Sequence, residues 1–204
     1  WYVKADSPIK TLKDFEGKTV AYSTNGSSTH GVVNAYIKEN NIKPRPTATG
    51  GPAATLTQVM SGQIDVGWSA PPFGLQQLDK GEIRVIATGN DTQAFKSQTV
   101  RLLVTNTATL QAKKPVLERF MKAYRETVEA MYSDPAALKH YADFVGIPEA
   151  IAKRTRDEFF PKAAIDPDKI VGLETIVPDA VALKYTAQPL TKEQLSELIQ
   201  IPPR

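Results

Sequence analysis

The sequence predicts an α/β domain with a largely parallel sheet in its first half and a helix-rich section after it. Three observations carry that expectation. β-Branched, strand-like stretches alternate with helical patterns as far as residue 92, Gly and Pro punctuate the junctions between them, and from residue 113 onward apolar residues recur at helical spacing.

Each element follows from its residues. "KTVAYST" (18–24) reads as a strand, and "THGVVNAYIKEN" (29–40) sets Val32, Val33, Tyr36 and Ile37 on one helical face before stopping at Asn40 and Asn41. Proline and glycine make "IKPRPTATGGP" a linker. "AATLTQVMSG" (53–62) gives a short helix with Leu56, Val59 and Met60 inward and Gly62 at its C-terminal cap. "QIDVGWSA" (63–70) reads as a strand, "PPFGLQQLDKGE" (71–82) as a proline-initiated helix, and "IRVIATG" (83–89) as a further strand. "NDTQAFKSQT" (90–99) is a polar connection, and "VRLLVTN" (100–106) reads as one more strand.

Helices then dominate. Over 113–134, Val116, Leu117, Phe120, Met121, Tyr124, Val128 and Met131 fall at helical spacing, with Pro115 suited to a first turn. Others are expected at 135–145, closed by Gly146, at 148–160, at 167–185, and at 191–199, where Thr191 is an N-cap and Gln194 its capping-box partner. The expected organisation is an α/β lobe over 7–92, with 1–6 and 93–204 supplying crossing strands, at 1–6 and 98–106, and the helix-rich part of another lobe.

Composition excludes several functions. A chain of 204 residues that is 41% hydrophobic can bury a substantial core. The net charge of +3 is spread by interleaving bases with acids, as in "KRTRDEFFPK", so nucleic-acid binding is not expected. No apolar run approaches the ~20 residues that cross a bilayer. No signal peptide is visible in the sequence, and "WYVKADSP" begins so abruptly with apolar residues that a fragment is expected. Without cysteine there is no disulfide, thiolate metal site or cysteine nucleophile.

Two loops carry the candidate chemistry. "STNGSSTHG" (23–31) stands where a strand turns into a helix, and unpaired N–H groups in a first helical turn, with the positive end of the macrodipole, can receive an anion. There Gly26 permits close approach, Ser27, Ser28 and Thr29 offer hydroxyls, and His30 can assist. The alternative is that one of the three hydroxyls is simply the N-cap that helices favour. "DVGWSAPPFG" (65–74) can present the Trp68 indole and the Ser69 hydroxyl at the carboxyl end of the sheet, where ligands bind in open α/β folds; the alternative is a core tryptophan beside a rigid loop. "TGGPAAT" (49–55) is a third helix entry but lacks both nucleotide-phosphate spacings. His140 lies in a helical stretch as a surface or packing residue, and Glu126, Glu129, Asp157 and Glu158 read as solvated helix faces. No catalytic or metal-ligating motif is present, so the expectation is a binding protein without cofactor or metal, and not an enzyme.

"DSPIKTLKDFEGKTVAYSTNGSSTH", then "TLTQVMSGQIDVGWSAPPF" and "GEIRVIATG", resemble the second lobe of periplasmic solute-binding proteins of ABC importers, in the NMT1/THI5-like group that takes sulfonates, nitrate, taurine and pyrimidine precursors. The resemblance continues into "VRLLVTNTATLQAKKPVLERFMKAYRETVEAMYSDPAAL". It implies a periplasmic-binding-protein type II (Venus flytrap) architecture, with one complete lobe and a second, helix-rich lobe lacking its opening strands. It also implies a small, anionic organic ligand, hinge closure over it, an ABC permease as partner, and an exported, periplasmic monomer. The ligand-binding residues so implied are Asn25, Gly26, Ser27, Ser28, Thr29 and His30 from the first loop, with Trp68, Ser69 and Pro71 from the second. Its rivals are a TRAP-type importer binding protein, the effector-sensing domain of a transcription regulator, and a pyrimidine-precursor synthase-like enzyme limited to His30 and His140.

Overall fold

The computed structural model describes residues 1–96, 98–182 and 184–204; Ser97, in the polar connection, and Leu183, in the helix expected over 167–185, lie outside the described residues. The chain divides into two compact units, Trp1–Ser97 and Gln98–Arg204.

In the first unit, β2 (Thr19–Tyr22) pairs in parallel with β3 (Arg45–Ala48), and β1 (Tyr2–Lys4) pairs antiparallel with β4 (Ile83–Val85). Val66 and Gly67 stitch the two pairs together. Val66 bridges Val20 in parallel, with its N–H on Thr19 O at 3.0 Å, and Gly67 bridges Tyr2 antiparallel through bonds of 3.0 and 2.8 Å. The layer therefore runs β3, β2, Val66–Gly67, β1, β4, and only β1 opposes the common direction.

Side chains alternate across this layer with the period of a strand. Val20 and Tyr22 join a core with Phe15, Val32, Val33, Tyr36 and Val66, while Ala21 between them joins Tyr2, Val59, Ile64 and Ile83 on the other face. Helix α1 (Ser28–Asn40) covers the first face. Helices α2 (Pro52–Met60) and α3 (Leu75–Asp79) cover the second through Leu56, Val59 and Leu78. Tyr36 is 1% exposed, meets Trp1 and Phe15 edge to face, and donates its hydroxyl to Thr88 O at 2.7 Å. Burial of a side chain of this size contributes about 1.5–3 kcal/mol.

Several expectations are corrected. The linker holds β3, whose Pro46 is tolerated because the strand lies at the layer's edge. Of residues 63–70 only Val66 and Gly67 pair, because the Asp65 carboxylate takes the Thr19 N–H at 2.8 Å and the Thr19 hydroxyl at 2.7 Å. The helix expected from Pro71 starts at Leu75, since Phe73 N–H closes a turn on Ala70 O and Gly74 adopts φ +86°. Strand β4 stops at Val85 because the next two amides converge on Trp1 O and Asp91 caps a turn at Thr88.

The second unit is helical: α4 (Thr107–Ser133), α5 (Pro135–Val145), α6 (Glu149–Arg154), α7 (Leu173–Ala182) and α8 (Lys192–Leu198). Asn106 caps α4 ahead of the expected start, and the helix bends at Lys113, two residues before Pro115. The 148–160 helix becomes α6 followed by a π turn, Thr155–Phe159. The 167–185 helix contracts to α7, whereas Gly146 closes α5 at φ +73° and the Thr191–Gln194 box starts α8 as expected. Residues 100–106 form no strand, because among the described residues none lies alongside to pair with them, and Val104 is 87% exposed. The α4 ladder is only partly covered: Val116, Phe120 and Tyr124 are exposed, whereas Leu117, Met121, Val128 and Met131 are half-buried.

Candidate functional site

The direction of the strands places the loops 23–28, 49–51 and 68–74 on one edge of the first unit, at the carboxyl ends of β2, β3 and the Val66–Gly67 stitch. Two of them are joined directly. Thr49 N–H donates to Tyr22 O at 2.9 Å and Gly50 N–H to Ser23 O at 3.0 Å, so the starts of α1 and α2 stand side by side.

The first loop is built around Ser27 and Thr29. Ser27 Oγ accepts from His30 N–H at 3.2 Å and is the N-cap of α1, which fulfils the capping alternative for that residue. Thr29 Oγ1 accepts from Ser23 N–H at 2.9 Å and lies 2.9 Å from both Ser23 Oγ and Ser27 Oγ. Gly26 takes φ +78°, and its N–H donates to His30 Nδ1 at 3.1 Å, which leaves the proton of a neutral ring on Nε2. The His30 ring stacks on Tyr22 at 4.3 Å, while Tyr22 donates its hydroxyl to Asn25 Oδ1 at 2.6 Å. Ser28 is exposed, and among the described residues its hydroxyl has no hydrogen-bond partner. Among the described residues the N–H groups of Ser28 and Thr29 also find no hydrogen-bond acceptor, and no acidic side chain stands in the first turn of α1. An anion at this point meets two amides, a hydroxyl and the positive end of a 13-residue helix.

The second loop is more closed. Trp68 packs against the core that contains Tyr2, Ala21, Val59 and Ile83, and its buried Nε1 has no hydrogen-bond partner. Ser69 donates its hydroxyl to Phe73 O at 2.8 Å, holding the turn. Pro71 is half-buried and Phe73 is exposed.

Sequence reading passed over the start of α2, weighing it only against nucleotide patterns. Gly51 is its N-cap, Pro52 fills the first turn, and among the described residues the N–H groups of Ala53 and Ala54 find no acceptor. The signal was the same strand-to-helix turn that marked the first loop.

Several titratable groups of the second unit are held in ion pairs. Asp157 meets Lys153 at 2.5 Å and Arg156 at 2.7 Å, Glu129 meets Lys162 at 2.5 Å, and His140 is exposed on α5. The Arg156 and Lys153 side chains hold the Asp157 carboxyl down to about 2. Among the described residues no group of three or more His, Cys, Asp or Glu is arranged to hold a metal, and no helix is long and apolar enough to cross a membrane.

Comparison with solved structures finds the same fold in three binding proteins. The periplasmic aliphatic sulphonate binding protein SsuA of Escherichia coli superposes with a TM-score of 0.70 at 18% identity, over 100% of this chain and 65% of that one. The alkanesulfonate-binding protein SsuA of Xanthomonas axonopodis pv. citri, solved bound to MOPS, matches with a TM-score of 0.70 at 18% identity over 98% and 68%. The ligand binding component of an ABC-type import system of Staphylococcus aureus, with zinc bound, matches with a TM-score of 0.68 at 13% identity over 97% and 69%. The chain thus spans about two thirds of the length of these proteins. No curated protein matches it by sequence. A family model described as NMT1/THI5 like matches residues 1–138, and the chain belongs to that NMT1/THI5-like family.

Proposed function

We propose that this chain is the solute-binding part of an extracytoplasmic importer component, which takes a small organic anion at the start of α1 and hands it to an ABC permease without chemical change. The observation that carries the reading is the trio of Ser28 N–H, Thr29 N–H and Ser28 hydroxyl, unpartnered among the described residues, at the carboxyl-end edge of the layer and free of acidic neighbours in the first turn. A sulfonate suits it, since three equivalent oxygens can accept from all three donors at once. Asn25, Gly26, Ser27, Thr29 and His30 shape the loop, and Trp68, Ser69 and Pro71 line the same edge. The alkanesulfonate-binding neighbours are consistent with this ligand class. An enzyme would have to use His30, whose Nδ1 is taken by Gly26, or the exposed His140 of the other unit.

Tryptophan fluorescence tests the reading, because Trp1 and Trp68 both lie in the first unit. Titration with ethanesulfonate should give a saturable change. Ser28→Ala removes one hydrogen bond to a charged group and should weaken binding by about 10- to 100-fold, and Ser28→Asp should abolish it. A folded chain that gives no saturable response, or a Ser28→Asp variant that binds like the parent, overturns the proposal.

A further inference from the structure

Within the second unit, the carboxyl-terminal end of α4 and the helices that follow line a half-open cavity of about 180 Å³, and every residue of its lining belongs to that unit. Its walls carry the rings of Tyr132, Tyr141 and Phe160 and the aliphatic side chains of Val128, Met131 and Ile165. The π turn Thr155–Phe159 forms one side, and interruptions of this kind in a helix recur at functional sites.

The polar groups of the lining settle what the cavity can hold. Thr155 donates its hydroxyl to Ile151 O at 2.8 Å, Arg156 donates through Nη1 to Met131 O at 3.0 Å and through Nε to Asp157 at 2.7 Å, and Tyr132 donates to Phe160 O. The Arg156 guanidinium also lies 5.7 Å from the centre of the Tyr132 ring, with Asp157 balancing its charge. Among these lining groups only the Tyr141 hydroxyl has no hydrogen-bond partner; it is not fully buried, so it is reachable from the open side of the cavity, and partial burial pushes its pKa up. An apolar cavity of about 150 Å³ is large enough for benzene.

We propose that this cavity is a binding site for a small, uncharged aromatic molecule with one hydrogen-bonding substituent, such as a phenol, whose ring packs among Tyr132, Phe160 and Met131 and whose polar group meets the Tyr141 hydroxyl. An anion is disfavoured there because the one cation of the lining is already neutralised by Asp157. The site is separate from the edge loops of the first unit, so it can be tested with those loops intact.

The test uses the whole chain with methyl-labelled methionine, since Met131 lines the cavity while Met60 and Met121 do not. Phenol should shift the Met131 methyl resonance saturably and leave Met60 and Met121 unmoved. Tyr141→Phe should weaken phenol by about 2- to 12-fold while leaving toluene binding unchanged. Ala152→Leu, which fills the cavity, should remove the response to both. The proposal fails if Met131 does not respond to phenol, if all three methionines respond alike, or if a folded Tyr141→Phe variant binds phenol as the parent does.

Discussion

Gly67 is the point at which a single added methyl should do most damage. A Cβ at this position would lie 2.6 Å from Tyr2 Cζ, 2.9 Å from Tyr2 Oη and 2.8 Å from Val59 Cγ2. Ordinary carbon contacts are about 3.5–4.0 Å. Tyr2 is 4% and Val59 1% exposed, so neither side chain can swing into solvent. Relief has to come from the backbone, and that strains the two Tyr2–Gly67 hydrogen bonds that join one half of the layer to the other. Overpacking of a filled core costs about 1–3 kcal/mol and each backbone bond is worth about 1 kcal/mol, so Gly67→Ala should destabilise the first unit by about 2–5 kcal/mol. Urea unfolding followed by tryptophan emission reads that unit alone. Gly89→Ala is the control, since nothing lies within 4 Å of its Cβ position and its φ is not positive; it should be neutral or gain about 0.4–1 kcal/mol. Adding Tyr2→Leu to Gly67→Ala should give a loss smaller than the sum of the two single variants, by more than about 0.5 kcal/mol. A Gly67→Ala unfolding free energy within about 0.5 kcal/mol of the parent would refute the reasoning, because substitutions without a specific mechanism fall in that range.

Asp65 and Arg125 give two further tests. Burial by itself raises the Asp65 pKa, but the Thr19 N–H and hydroxyl outweigh it and hold the carboxyl below its usual range. Its stabilisation is therefore complete above the unfolded value of about 3.9 and is lost as pH falls through the lowered folded one. Thr19→Val should be destabilising at neutral pH, with the gap to the parent closing in acid; a gap independent of pH contradicts this. The Arg125 guanidinium binds Asp168 at 2.7 Å and the carbonyls of Pro202 and Pro203 at 2.5 and 3.1 Å. Arg125→Gln should speed carboxypeptidase trimming of the C-terminal segment at least about tenfold, and an unchanged rate would show that this clamp does not hold the segment.

The parts of the fold legible in the sequence are those with local causes. Helix α1 begins within a residue of its serine cap, α5 ends on Gly146, and the Thr191–Gln194 box opens α8. What stayed hidden has non-local causes. β3 carries two polar residues and Pro46 and is a strand only because β2 lies beside it, and Val66–Gly67 is cut short by the reach of Asp65 to Thr19. The opposite error occurs at 100–106, where β-branched residues promise a strand that finds no neighbour to pair with among the described residues. At the candidate site, the loop and its helix were legible, because glycine and hydroxyl residues at a strand-to-helix turn have a local meaning. The division of labour among the hydroxyls was not, since it depends on Ser23 and Tyr22 folding back onto the helix start.

That division changes how the two readings of "GSST" relate. A cap and an anion site compete in the abstract, because both use the orphan donors of a first turn. On the proposed function they fall on different residues. Ser27 takes the His30 amide, Thr29 ties the turn to Ser23, and among the described residues nothing bonds the amides of Ser28 and Thr29 or the Ser28 hydroxyl beside them. On the proposed function the capping network is what makes the site usable, because donors already fixed by neighbouring bonds need no reordering when a ligand arrives. Ser27→Ala should then lower stability by about 1 kcal/mol and loosen the donors, whereas Ser28→Ala should leave stability unchanged and weaken ethanesulfonate directly. If the two variants behave alike, in either measurement, the helix start acts as one undifferentiated cap, and the anion has to be sought at the open amides of Ala53 and Ala54 beside it.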